Sequence, residues 1–235
     1  MPSSDPRAAH VISRGALRLA LFPSFFWRSD AGGAPHGVGV TIARALARSI
    51  GVTLDCTVHG SPPKVVEALA AGCADVALLG IDRARAADVD FSPPLMSADF
   101  TYLVPETSAV HIIADADRPG VRIALVRHHA MDGALQLTHA ARVYAETPDA
   151  AFELVRAGGA DVLAGIRPGL LSYAAQWPAA RVLSEHYGRN IIALAVPKGV
   201  ADWRALVNEF AARARADGIV RRAIAQAGLA GVQPE

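Results

Sequence analysis

Apolar positions in this chain come in short blocks that alternate with amphipathic stretches. In the first half, blocks of strand length lie at 16–22, 52–58 and 74–80. Between them the apolar positions recur with helical spacing over 38–50, ending at Gly51, and over 62–71. A short helical turn is expected from Arg83 to Val89, capped by Asp82. The second half predicts strands near 121–126, 141–145, 160–165 and 180–183, and helices near 131–139, 148–157 and 168–176. Tyr102 to Pro105 and Ile191 to Val196 read as extended segments placed to cross between the halves. The tail, Trp203 to Ala227, reads as helix with a break at Gly218, and Met1 to Gly15 as a polar loop.

The two halves echo each other. Ser61-Pro-Pro-Lys-Val-Val-Glu-Ala-Leu-Ala-Ala-Gly-Cys-Ala-Asp-Val76 aligns at one constant offset with Thr147-Pro-Asp-Ala-Ala-Phe-Glu-Leu-Val-Arg-Ala-Gly-Gly-Ala-Asp-Val162. Each copy predicts a Ser or Thr N-cap, a proline at the first helical position, a glycine stop and then a short strand. Leu17-Arg-Leu-Ala-Leu21 likewise echoes Val121-Arg-Ile-Ala-Leu125. Strand–helix alternation repeated in this way implies two α/β lobes with parallel sheets.

Composition narrows the picture. Hydrophobic residues make up 52% and charged residues 19%, enough to build buried cores. Net charge is +1 with no long basic run, so nothing indicates nucleic acid. No apolar stretch reaches the roughly 20 residues a membrane span needs, so any membrane association is peripheral. Met1 to Gly15 lacks the apolar core of a secretory leader. Cys56 and Cys73 read as small core residues rather than a disulfide, and no cluster has metal-ligand spacing. No cofactor is implied.

Three segments carry a resemblance: Gly37 to Gly51, Gly72-Cys-Ala-Asp-Val-Ala-Leu-Leu-Gly80, and above all Arg85-Ala-Ala-Asp-Val-Asp-Phe-Ser-Pro-Pro94. They resemble the extracellular solute-binding proteins of family 3, the amino-acid-type receptors of ABC importers. That resemblance implies a type II periplasmic binding fold, an α/β architecture of two lobes, each with a central parallel sheet flanked by helices, joined by two hinge crossings. Lobe 1 is expected at 1–104 plus 193–235 and lobe 2 at 105–192. It further implies a small-molecule ligand held between the lobes, an ABC permease as partner, a monomer, and no catalysis. The family's compartment is the periplasm; the absence of a visible leader keeps a cytoplasmic location as the alternative.

Ligands of such sheets lie beyond the carboxyl ends of the strands, which directs attention to the loops that follow them. Arg85 matches the arginine with which the family clamps a ligand carboxylate, and a guanidinium can do so bidentately. The competing reading is a surface ion pair with Asp88 or Asp90. Of the 7 Phe and 3 Trp in the chain, four (Phe22, Phe25, Phe26 and Trp27) directly follow the first strand. Family members draw one aromatic wall from this loop, and Phe25 and Trp27 lead, with Phe22 beside them; plain core packing is the alternative. His128 and His129 open a helix where relatives carry a glycine–hydroxyl loop, either as anion donors or in a solvated loop. Ile166 stands where amino-acid receptors hold the α-ammonium group with an aspartate, and Gly80 where a hydroxyl donor is common. Arg167 either adds positive charge or points to solvent. These departures suggest a carboxylate ligand without a free α-amino group.

Two other functions fit the same pattern. A dehydratase-like enzyme on this fold would use Asp82, His59, His128 and His129 as acid and base, although no nucleophile elbow or paired-carboxylate signature is present. A stand-alone ligand-sensing module would need a separate signalling partner.

Overall fold

The computed structural model of the chain describes residues 5–24, 26–29, 32–127 and 130–235, with the side chain of Ala130 left out. In chain order the main elements are β1 (Ala16–Leu21), α1 (Val38–Ser49), β2 (Thr53–Val58), α2 (Pro62–Ala70), β3 (Val76–Gly80), β4 (Val89–Phe91), β5 (Met96–Pro105), β6 (Arg122–Val126), β7 (Ala141–Ala145), α3 (Pro148–Arg156), β8 (Val162–Ile166), α4 (Arg167–Gln176), β9 (Ala180–Val182), β10 (Gly188–Pro197), α5 (Ala201–Ala216) and α6 (Ile219–Gln226). Contacts divide the chain into two units, one of Met1–Ser97, Ile191–Leu229 and Gln233–Glu235, the other of Ala98–Asn190 and Ala230–Val232. The breaks fall inside the long strands β5 and β10.

In the first unit β2, β1 and β3 run parallel in that order, with Leu19 level with Cys56 and Val76. β10 then adds antiparallel to β3, and the short β4 antiparallel to β10. The second unit repeats the plan. β7, β6 and β8 are parallel, β5 lies antiparallel to β8, and β9 antiparallel to β5. Each sheet is therefore mixed rather than purely parallel. The returning strand is a long extended segment reached without a crossover helix, which leaves antiparallel pairing available to it.

The helices form as their apolar spacing dictates. α1 buries Val38, Ile42, Ala43, Leu46 and Ala47, one stripe at intervals of three and four. α2 buries Val65, Val66 and Leu69, and α3 buries Ala151, Phe152 and Val155 at corresponding positions. Phe152 stacks on Tyr173 of α4 with ring centroids 4.4 Å apart and meets Trp177 edge-on at 5.9 Å. Contacts of this kind add about 0.5–1.5 kcal/mol each beyond area burial.

Several local expectations are corrected. Residues 6–12 are helical, not loop, and seat Ala8 and Val11 in the core. The helix expected over 131–139 runs only over Ala130–Ala134. Beyond it the backbone N–H groups of Thr138, His139 and Ala140 donate to the Asp117 carboxylate rather than continuing a helical ladder. Those three bonds hold Asp117 at a pKa of about 2. The turn expected from Arg83 to Val89 shrinks to Arg85–Ala87, and Val89 opens a strand. Thr147 accepts from the Ala150 N–H as an N-cap should, but the Ser61 side chain makes no capping bond. Cys56 is half-buried and Cys73 exposed, both as free thiols, so Cys73 is not a core residue.

Candidate functional site

The carboxyl ends of β1, β2 and β3 gather a surface within the first unit. β1 and β2 finish level, with Leu21 opposite Val58. The chain then turns at Phe22, which packs half-buried against the core cluster that includes Val65, Leu69 and Leu79. Trp27 Nε1 donates to the Phe22 carbonyl at 2.6 Å and closes the loop on itself. Phe26 is buried, and its carbonyl accepts from the Gly39 N–H at 3.1 Å, docking the loop on the start of α1. That docking needs Gly37. Its φ is 119°, and a Cβ there would lie 2.7 Å from the Phe26 oxygen and 2.8 Å from Trp27 Cα. Phe25 lies outside the described residues.

Among the described residues four large hydrophobics are exposed, Val58, Ile81, Ile112 and Val200. Two of the four, Val58 at 59% and Ile81 at 42%, end β2 and follow β3 on this one surface. Both fall in the stretches after strand ends, Val58 to Ser61 and Leu79 to Arg85, where the sequence directs the search for ligand contacts, but their exposure is not legible there. Beside Val58, the His59 N–H donates to the Leu21 carbonyl at 2.8 Å, and its Nε2 lies 3.2 Å from Thr57 Oγ1.

Arg85 sits after β3. Asp82 shapes the connection, its carboxylate accepting from the Ala84 N–H at 2.7 Å and its carbonyl from the Ala86 N–H at 3.0 Å. Arg85 Nη1 donates back to the Gly80 carbonyl at 2.9 Å. Burial pushes the Arg85 pKa down, only partly opposed by the charge on Asp82. Among the described residues no carboxylate lies within salt-bridge distance of its guanidinium. Asp90, one partner considered from sequence, is taken by Lys198 and Arg204, each at 3.5 Å, and by the Gly199 N–H. A half-buried guanidinium with one carbonyl for company carries a desolvation cost that a bound anion would offset.

The strand ends of the second unit differ. Ile166, half-buried, closes β8 opposite Phe100 and leads directly into α4. Arg167, the next residue, is drawn into the fold. Its Nε donates to Asp99 at 3.2 Å, Nη1 to the Leu183 carbonyl, and Nη2 to the carbonyls of Ser184 and Glu185. Four of its five N–H donors are thus used within the protein. Arg127, exposed after β6, lies 4.1 Å over the Tyr144 ring. His128 and His129 lie outside the described residues. No grouping of three or more His, Cys, Asp or Glu suited to a metal occurs among the described residues.

The family model for bacterial extracellular solute-binding proteins, family 3, matches residues 19–227. The chain belongs to that family. Its fold is the α/β type II periplasmic binding fold. An ancestral amino-acid-binding protein described as a precursor of cyclohexadienyl dehydratase matches with TM-score 0.76 and 25% identity, over 92% of this chain and 96% of that one. A binding component of an ABC transporter from Wolinella succinogenes, complexed with lysine, matches with TM-score 0.79 and 23% identity, over 91% and 95%. A histidine kinase sensor domain with similarity to periplasmic binding proteins matches with TM-score 0.75 and 22% identity, over 94% and 98%. Comparison with curated protein sequences gives no match. Family 3 proteins bind small molecules such as amino acids, usually work with ABC transporters, and are usually periplasmic or extracellular.

Proposed function

We propose that this family 3 protein captures a small organic carboxylate lacking a free α-amino group and hands it, unchanged, to an ABC permease, working as a monomer in the periplasm. The observation that carries the reading is Arg85, half-buried and, among the described residues, without a carboxylate partner at the carboxyl end of β3. A bidentate carboxylate matches its fork. Phe22, Trp27, Val58 and Ile81 supply apolar surface on the same strand ends, which suits a ligand with a short hydrocarbon body. The proposed ligand contacts are these residues together with Gly80, His59 and Asp82, with Phe25, His128, His129 and Ile166 as further members.

Ile166 carries the specificity argument. An apolar residue in place of an aspartate removes the charge-assisted bond an α-ammonium group needs, about 1.5–3 kcal/mol. Calorimetric titration with succinate, other simple carboxylates and L-amino acids tests this. Carboxylates should bind at least about tenfold more tightly than the matching α-amino acids, and Arg85→Gln should weaken them about 10- to 100-fold. Tighter binding of an α-amino acid would overturn the ligand class. Conversion of a bound acid, followed by NMR, would overturn the role as a carrier.

A further inference from the structure

The first unit holds a second concentration of unpaired positive charge, on helices and away from the strand ends. A cavity of about 310 Å3 lies between α1 and α6, lined by Thr41, Arg44, Arg48, Ile219, Arg222 and Gln226 among others. All three arginines are exposed. Among the described residues none of the three is within salt-bridge distance of a carboxylate, whereas ten of the other arginines are and eight are not. Arg44 and Arg48 also line a neighbouring cavity of about 520 Å3 that includes Asp55, but no ion pair joins them to it.

This arrangement works against the protein unless something negative enters. Arg44 and Arg48 are four apart on one helix, so their charges face each other and destabilise it. Arg222 brings a third like charge from the opposite helix. Ile219 opens α6 and Gln226 closes it, and both line the cavity, which therefore runs the length of that helix past Arg222. Thr41 and Gln226 add neutral hydrogen-bonding groups. The lining suits neither an apolar ligand nor a cation. Three guanidinium groups carried on two helices that line one cavity offer donors to the several oxygens of one compact anion, and the volume is at the small end of ligand cavities.

We infer that the α1–α6 groove is a binding site for a small multivalent oxyanion of the phosphate class, separate from the carboxylate site. At 1.5 Å per helical residue, Arg44 and Arg48 stand roughly 10 Å and 16 Å along α1 from Gly37, where the Phe22–Trp27 loop docks. An anion held there bridges α1 to α6 and neutralises the Arg44–Arg48 repulsion, so it stabilises the first unit without occupying the ligand surface.

Inorganic pyrophosphate is the probe, titrated calorimetrically into the full chain at constant ionic strength set with chloride. The wild type should bind it, and Arg44→Gln/Arg48→Gln and Arg222→Gln should each weaken binding at least about tenfold. Glutamine is a good helix former and these side chains are exposed, so the variants should retain their circular dichroism. Arg85→Gln should leave pyrophosphate affinity unchanged, and the groove variants should leave carboxylate affinity unchanged. In the wild type, amide NMR shifts on adding pyrophosphate should concentrate at 41–48 and 219–226. The proposal is overturned if pyrophosphate gives no more heat than matched chloride, if binding disappears in Arg85→Gln but persists in the groove variants, or if the shifts map to the strand ends. Failure of succinate to bind would bear only on the carboxylate reading.

Discussion

The Asp75 carboxylate in the first unit is 3% exposed and accepts from the Arg18 N–H at 2.8 Å, from the Arg18 guanidinium at 2.8 and 3.2 Å, and from Arg14 at 2.6 Å. In the second unit Asp161 holds the same place before the third strand and accepts from the Arg122 N–H and guanidinium at 2.8 to 3.0 Å, yet it is 40% exposed. Both arginines also tie down the glycine that ends the preceding helix, Arg18 at the Gly72 carbonyl and Arg122 at the Gly158 carbonyl. One motif therefore serves as a buried pin in one unit and a surface clip in the other. The chain ends make the difference. Arg14 follows the N-terminal helical turns, and Trp203 of α5 donates to the Asp75 carbonyl at 3.0 Å within the core. The second unit has no counterpart to either contact among its described residues.

The largest effect should come from Asp75→Asn, which strips a buried, multiply bonded carboxylate from two arginines. A loss of about 3 kcal/mol is expected, against about 1 kcal/mol for Asp161→Asn, whose pair is screened by solvent. Hydrogen exchange read by mass spectrometry separates the units. Equal losses in both would erase the distinction between pin and clip.

Acid should act along the same line. Burial alone would raise the Asp75 pKa, but the bonds from Arg18 and Arg14 outweigh it and hold the group below the ordinary value of 3.8. Asp161 is lowered first by its bond with the Arg122 side chain. A carboxyl depressed on folding contributes stability above its unfolded pKa, and that contribution is lost as pH falls through the folded value. Stability should therefore decline below about pH 4 in both units, with Asp117 adding to Asp161 in the second, and Asp75→Asn should flatten the decline of the first unit alone. A first unit whose acid sensitivity is the same in Asp75→Asn as in the wild type would contradict the assignment.

The helix caps reverse the ranking of the units. Thr147→Ala removes an engaged cap and should cost about 1 kcal/mol. Ser61→Ala, at the equivalent position, removes a hydroxyl that makes no capping bond and should stay within about 0.5 kcal/mol of wild type. Urea unfolding of the two variants side by side checks this. A Ser61 loss matching that of Thr147 would mean the caps are equivalent after all.

Much of this fold was legible in the chain. The repeat of Pro62 and Pro148, Gly72 and Gly158, Asp75 and Asp161 marked two copies of one strand–helix–strand script, and the structure folds both that way. Pattern failed where a distant group redirected the backbone. Asp117 captured the N–H groups that would have extended a helix past Ala134, and the N-terminal turns formed because Ala8 and Val11 had a core to enter. At the candidate site, Arg85 stood out in the sequence by the run it opens, but that neither Asp88 nor Asp90 pairs with it was not legible there. Nor could the exposure of Val58 and Ile81 be read from an apolar run that looked like core.

By itself the sequence determined the period of its strands and helices, the proline and glycine marks that start and stop them, and their duplication. These are short-range properties, set by backbone sterics and by which face of a local element is apolar. Tertiary structure alone decided which charges meet. Arg18 and Asp75 are 57 residues apart, and Arg167 and Asp99 are 68 apart. Whether an arginine is neutralised, as Arg167 is, or has no carboxylate partner among the described residues, as Arg85, Arg44, Arg48 and Arg222 have none, depends on what the folded chain brings within a few ångströms, because electrostatic partnership follows distance in space and not order along the chain.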